Sequence, residues 1–372
     1  MSSFLSWQQV SIHGQRQGLR HTTFAVSKSD LWVKQFKTSL PRTDPTGDVR
    51  TSPTPAMLEA VTHASLLDDI ERSDSSTKKL EEYVASLTGH EAGLWVVSGT
   101  MGNLVALRSL LVQPPYSILC DDRAHCLTTE AGGIFAFAGA ISQAVHASNG
   151  KYLTLEDILP HVRLGHGEKV HTCPTRVISL ENTLRGMVMP LDETRRICDF
   201  AHENGIKVHL DGARLWEVAA SGAGTLSDYC DLFDTVTMCF TKGLGAPAGA
   251  VMVGSQDVVR QARWIRQSIG GSIRQPGMLA EAAYVAVKET FEGGRLAGTH
   301  QVAAHIAREW ESGGSKLKHP TDTNMVWLDF DGESFGLDDL IRRGRERGIY
   351  VHRDRIVVHY RQFLIYNKRD ES

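Results

Sequence analysis

The sequence predicts an α/β fold: a large domain built on a mostly parallel sheet, followed by a small α+β C-terminal domain. Two observations carry this. Short, fully apolar runs alternate with helical segments through roughly the first two thirds of the chain. After Ser255 that alternation stops, and three helical stretches lead into a strand–helix–strand–strand tail. Apolar strands separated by helices read as buried on both faces, as in a parallel sheet with helices on either side.

Residues 1–45 are polar and weakly periodic, and read as an N-terminal extension. From Pro53 a helical pattern places Ala56, Met57, Ala60 and Val61 on one face. Lys79 to Leu87 gives a second helix. LWVV (Leu94 to Val97) is the first strand and runs through SGTMGN into the helix NLVALRSLL. SILCD ends at Asp121, with a short helix past His125. RVISLEN (Arg176 to Asn182) precedes the helix LDETRRICDFAHENG, for which Gly205 suits a C-cap. IKVHLD (Ile206 to Asp211), DTVTMCF and AGAVMVG are the next strands, the last two around a Gly-rich turn at Lys242. Helices are expected over Gln256–Ile269, Pro276–Glu292 and His300–Glu311. TNMVWLDF then reads as a strand, LDDLIRRGRERG as a helix, and IYVHR and RIVVHY as two strands. The predicted division is 1–45 extension, 46–293 large domain and 294–372 small domain.

Composition excludes several classes of function. With 41% hydrophobic and 22% charged residues, the chain is neither disordered nor fibrous. A net charge of −3 gives no electrostatic support for nucleic-acid binding. No apolar run is long enough to span a membrane, and neither end reads as a secretory or lipidation signal. The six cysteines form no C-x-x-C pair, so reduced thiols in a cytoplasmic enzyme are expected rather than disulfides or a zinc site. No cluster with metal-ligand spacing is visible.

In an open α/β sheet, ligands bind at the carboxyl ends of the strands. Ser98-Gly99-Thr100 opens a helix after LWVV. Its free N–H groups form an anion cradle, or a plain N-cap. Asp211 closes the apolar strand IKVHL and needs a cationic or N–H partner there; the bland reading is a salt bridge to Arg214. Lys242 ends DTVTMCF-T, where an ammonium is costly to bury. That favours a neutral, nucleophilic amine able to form a Schiff base, unless the side chain simply points to water. Together these supply what pyridoxal 5′-phosphate needs: N–H groups for its phosphate, an anion for its pyridine nitrogen and an amine for its aldehyde.

The motifs GLWVVSGTMGN, AHCLTTEAGG, VISLENT, VHLDGARLW, FTKGLGAPAGAVMVGS and GGSIRQPG, in this order, resemble those of the low-specificity L-threonine aldolases. The resemblance runs from about Asp48 to about His359. It implies a fold-type I (aspartate aminotransferase-like) pyridoxal-phosphate enzyme with Lys242 as the Schiff-base lysine. It implies Asp211 as partner of the pyridine nitrogen, Gly99 and Thr100 as phosphate cradle, and His125 stacked on the ring. Arg214 and Arg355 are implied as carboxylate ligands, and His171 as a further active-site histidine that otherwise reads as a loop residue. A homo-oligomer, a dimer of dimers, is implied too. Departures fall in the side-chain pocket. DVRTSPTPAM is shorter than the family's segment, leaving Thr51 or Ser52 to stand in for a substrate-contacting serine. Glu71 replaces a tyrosine that reaches the adjacent subunit, and Leu184 replaces a histidine. The expected reaction is cleavage of the Cα–Cβ bond of a β-hydroxy-α-amino acid to glycine and an aldehyde. The alternative is alanine racemization on the same scaffold.

Overall fold

The computed structural model describes residues 48, 51–165, 170–346, 351 and 353–361. The extension read over 1–45 lies outside them, as do positions 349, 350 and 352 of the expected strand IYVHR.

The chain enters with α1 (Pro55–Val61) and α2 (Ser75–Thr88). Thr54 and Asp74 cap them, each accepting a backbone N–H with its side chain, and Gly89 at φ 77° ends α2. Then come β1 (Ala92–Val96), α3 (Gly99–Leu110), β2 (Ser117–Asp121), α4 (His125–Thr128), a π-helical turn Ile134–Ala138, β3 (Ile141–Val145), α5 (Leu155–Ile158) and β4 (Thr175–Glu181). The middle continues with α6 (Leu191–Glu203), β5 (Lys207–Asp211), α7 (Leu215–Ser221), α8 (Leu226–Cys230), β6 (Thr235–Cys239) and β7 (Ala250–Gly254). Asn204 caps α6 and Gly205, at φ 67°, takes the left-handed turn one position later, so the predicted stop holds to within a residue.

The seven strands form one sheet in the order β1-β7-β6-β5-β4-β2-β3. Only β7 runs against its neighbours; β2, β3, β4, β5 and β6 pair in parallel. The expected mostly parallel sheet is therefore present. β2, β6 and β7 are buried at every residue, which is why they read as unbroken apolar runs. Alternation sorts their side chains into two cores. Trp95, Leu119, Ile178, Val208 and Leu210 face α2, α6, α8 and α10 (Gly277–Ala286). Leu94, Val96 and Met252 face α3 and α9 (Gln256–Ser268). Each side chain of this size buried from water contributes roughly 1.5–3 kcal/mol.

After a π-helical turn, Val287–Glu292, the chain makes α11 (Arg295–Ser312), β8 (Met325–Trp327), α12 (Leu337–Glu346) and β9 (Arg355–Val357). β8 and β9 pair antiparallel, with Trp327 opposite Arg355. Ala303 and Ala307 of α11 pack with Val326, Leu328 and Val358 as a separate small core. Among the described residues no helix is long and apolar enough to cross a membrane, and all six cysteines are free.

Candidate active site

The parallel register brings the strand ends together. Glu181 lies opposite Asp211, and Asp211 opposite Thr237, so three neighbouring strands deliver their last polar residues to one edge. Cys239, the last residue of β6, floors the space between them. Lys242 Nζ sits 3.4 Å from its Sγ. A Cβ on Gly99 would meet the same sulfur at 2.6 Å, so only glycine lets the start of α3 come this close. Burial pushes the Cys239 thiol up, Lys242 and Arg214 oppose that, and Asp211 adds to it. Lys242 and the glycine of the helix N-terminus thus meet at one side chain, which also feels the charges of Asp211 and Arg214.

Lys242 stands on a braced loop. Trp216 packs edge-on against Phe291 and donates its indole N–H to the Cys239 carbonyl at 3.0 Å. Gly243 passes over the buried Glu217, where a Cβ would clash with Oε1 at 2.1 Å. Glu217 pairs through its other oxygen with His300 at 2.6 Å. Thr51 donates toward the Thr241 carbonyl at 3.4 Å, which puts one of the two stand-ins for the missing serine beside the lysine. Ser52 turns its carbonyl to Arg361 instead.

Asp211 does not pair with Arg214. Its Oδ2 accepts from the Asn103 amide at 2.7 Å and its Oδ1 from the Ala213 N–H at 3.1 Å. The same amide donates to Glu130 at 2.9 Å, and Glu130 Oε1 meets His125 Nδ1 at 2.7 Å. The backbone N–H of His125 donates to Glu181 at 2.8 Å. The bond to Glu130 raises the imidazole above its usual range, against the effect of burial, with Asp211 adding to the rise. Burial, reinforced by Asp211, pushes Glu181 up to about 8. His125, Glu130 and Asp211 bring ligand-capable atoms within 4.8 Å of one another, a group the sequence did not reveal as able to hold a cation. The Asn103 amide already bridges its two carboxylates.

Arg214 spends its fork on Asp48, with Nε and one terminal nitrogen each 2.8 Å from a carboxylate oxygen. Asp48 is fully buried. Burial works to raise it, yet Arg214 holds it well below the usual carboxylate range. Arg355 differs. Its guanidinium lies 5.3 Å over the Trp327 ring and its buried Nε has no hydrogen-bond partner among the described residues. Burial and then the charge of Arg214 lower it, so the two arginines share one neighbourhood. Thr100 is exposed at the mouth of α3. His171 is exposed on the turn before β4, and among the described residues nothing joins it to the His125 group.

Asp48, Asn103, Glu130 and Glu181 were missed as site residues. Glu181 closes the apolar strand VISL, and Asn103 and Glu130 lie within the motifs GLWVVSGTMGN and AHCLTTEAGG.

The residues present fit pyridoxal 5′-phosphate. Gly99 lets the N-terminus of α3 close on Cys239 beside the Lys242 amine, Arg355 offers an unsatisfied buried N–H, and Asp211 is an acid held by N–H groups alone.

Residues 44–333 match the model of a family described as beta-eliminating lyase. The chain is 50% identical over 313 residues to aldolase vrtJ of Penicillium aethiopicum, covering 84% of this chain and 80% of that protein. It is 42% identical over 325 residues to alanine racemase TOXG of Cochliobolus carbonum, covering 86% and 83%. It is likewise 42% identical over 313 residues to the low specificity L-threonine aldolase of Saccharomyces cerevisiae, covering 84% and 80%. In fold it is similar to the solved threonine aldolase of Leishmania major, with a TM-score of 0.72 at 21% identity over 88% of this chain and 99% of that one.

Proposed function

The chain belongs to the beta-eliminating lyase family, and from that premise we propose that it is a pyridoxal-phosphate-dependent aldolase that cleaves the Cα–Cβ bond of a β-hydroxy-α-amino acid such as L-threonine. The observations that carry this are Lys242 and the helix-opening Gly99 meeting at Cys239, whose thiol also feels the charges of Asp211 and Arg214. Lys242 would hold the cofactor by its amine, Gly99 and Thr100 its phosphate, Asp211 its ring nitrogen, and His125 its ring face. When bound, the cofactor supplies an electron-poor ring that takes up the electron pair of the broken bond.

The chain's own residues do the rest. Arg355 grips the α-carboxylate with the N–H it has to spare, and Arg214, oriented by Asp48, supports it. Glu130 holds His125 by Nδ1, which leaves Nε2 to take the proton of the β-hydroxyl. His171 is the second candidate base, one that would act through water. Asp211, held by the Asn103 amide and the Ala213 N–H, would turn its carboxylate to the ring nitrogen.

A copy-to-copy assembly is part of this proposal, supported by exposed apolar side chains such as Leu66, Leu67, Phe135 and Phe137. So are a cytoplasmic location, which fits six free thiols, and the division at 293/294. Alanine racemization is the weaker reading, kept because one relative is named an alanine racemase.

The test is incubation with L-threonine, L-allo-threonine, L-phenylserine and L-alanine, following aldehyde, glycine and chiral inversion in parallel. Aldehyde with equimolar glycine is expected, with a yellow wild-type protein and a colourless Lys242→Ala variant. Inversion of alanine without aldehyde from any hydroxy amino acid would replace the aldolase with the racemase. A wild type that gains no band with pyridoxal phosphate would remove both.

A further inference from the structure

Asn103 belongs to none of the groups assigned above, yet it touches two of them. It lies on α3, one turn beyond Gly99, and is 1% exposed. Its two amide hydrogens go to Asp211 Oδ2 at 2.7 Å and Glu130 Oε1 at 2.9 Å. We propose that Asn103 is a positioning residue, whose amide locks the carboxylate facing the ring nitrogen and the carboxylate holding His125 into one unit without adding a charge of its own.

The orientation of the amide sets the donor pattern: its NH2 end faces the two carboxylates and Oδ1 faces away. Oδ1 meets His209 Nε2 at 3.2 Å, so that nitrogen carries the hydrogen. His209 Nδ1 is then the acceptor and takes the Thr235 hydroxyl hydrogen at 2.9 Å. Burial holds His209 down at about 4, consistent with a neutral ring that donates once and accepts once. The chain Thr235–His209–Asn103 therefore ends in two hydrogens aimed at two acids.

A purely structural role would need only that buried acceptors be satisfied. Two features go beyond it. The acids come from separate elements, Asp211 from the end of β5 and Glu130 from the loop after α4, and they serve different partners. Moreover, an amide is the one short side chain that can bridge two carboxylates without changing the charge of either. A lysine or arginine would neutralise Asp211, and an aspartate would add a third negative charge. With an apolar residue, the two crowded acids would share a proton, and the charge meant for the ring nitrogen would be lost.

The inference rests on the pyridoxal-phosphate reading, so the experiment separates the two. Cofactor-stripped full-length protein is titrated with pyridoxal 5′-phosphate and with its analogue carrying C–H in place of the ring nitrogen. For Asn103→Leu, affinity for pyridoxal phosphate should fall about 10-fold or more while that for the analogue changes less than about 3-fold. Turnover of L-threonine should fall at least about 30-fold with the Michaelis constant within about 3-fold. Adding Glu130→Gln to Asn103→Leu removes the competing acid and should restore at least about half of the lost pyridoxal-phosphate affinity on a logarithmic scale. Equal losses for both ligands, or no restoration, would make Asn103 a packing residue and overturn the proposal. Should Asn103→Leu fail to fold, Asn103→Ser, with one donor for two acids, gives the same ligand contrast at smaller amplitude, and equal losses there overturn it too. A wild type that binds neither ligand would defeat the cofactor reading itself, and this proposal with it.

Discussion

Two clusters of buried charge in this molecule use the same residue types differently. Beside β1, Glu81 accepts from Arg72 at 3.0 Å, from Arg263 at 2.5 Å and from the Trp95 N–H at 2.8 Å. Nearby Arg266 bridges Asp69 at 2.7 Å and the Trp95 carbonyl at 2.6 Å. There each acid has a guanidinium. At the ends of β4 and β5, Asp211 and Glu130 share one neutral amide, Glu130 also holds the His125 imidazole, and Glu181 takes the His125 backbone N–H. The first cluster is closed to solvent at Arg266, 3% exposed, and Asp69, 1%. The second opens through His125, whose side chain is 40% exposed. The cluster that joins elements meets its acids with guanidinium groups, whereas the cluster at the strand ends meets them with neutral donors and an imidazole.

That contrast can be broken at either end. Removing a cation from the closed cluster should give the largest effect, and on stability alone. Arg266→Met strands Asp69 and should cost about 3–5 kcal/mol, read from the denaturation midpoint, with turnover of the folded fraction within about 2-fold. A loss under about 1 kcal/mol would dissolve the distinction. Asp211→Asn should do the reverse. Turnover should fall about 100-fold, equivalent to about 2.7 kcal/mol of barrier, while the yellow band and the midpoint hold. More than about a tenth of wild-type turnover would remove Asp211 from its role.

Arg355→Ala should raise the Michaelis constant or lower turnover about 30-fold with the band intact. Near-normal kinetics would leave Arg214, with Asp48 on its fork, as the carboxylate anchor. The smallest change should come from Glu130→Gln. In cofactor-free protein the His125 ring, followed by NMR, should titrate above about 6.5 and move down in the variant. Its raised position has a definite sign for stability. The Glu130–His125 pair contributes fully below the ordinary imidazole value and fades as pH rises through the raised one. Wild type should therefore exceed Glu130→Gln in melting temperature most at mildly acidic pH, and the gap should narrow toward alkaline pH. A gap that widens with pH would contradict the pairing.

What the sequence made legible follows from what is local. Lys242, Asp211 and Arg214 stand where an apolar strand stops, a position visible in a few residues. Arg355 was readable only through the resemblance, and its register opposite Trp327 is a property of the folded pair. The acids around His125 were hidden for the same reason. Glu181 gains meaning from lying opposite Asp211, and Glu130 from an amide on a distant helix. The Asp211–Arg214 salt bridge, the bland expectation, failed because N–H groups had already taken the aspartate and Asp48 had taken the arginine. β3 escaped notice because it is an exposed edge, and ISQAV carries no apolar run.

The single reversed strand has a mechanical consequence. Because β7 returns antiparallel beside β6, the segment carrying Lys242 is pinned at both feet. Phe240 N–H donates to the Gly249 carbonyl at 3.1 Å, Ala246 N–H to the Phe240 carbonyl at 2.9 Å, and Gly245 N–H to the Lys242 carbonyl at 2.8 Å. The Tyr360 hydroxyl adds a fourth tie at the Leu244 carbonyl. The lysine is a jointed arm on a fixed post. Its amine can change partners by rotation about methylene bonds, on the order of picoseconds to nanoseconds where the side chain is free, with no loop opening on the microsecond scale. The change of partner at the amine therefore asks nothing of the backbone that bears it.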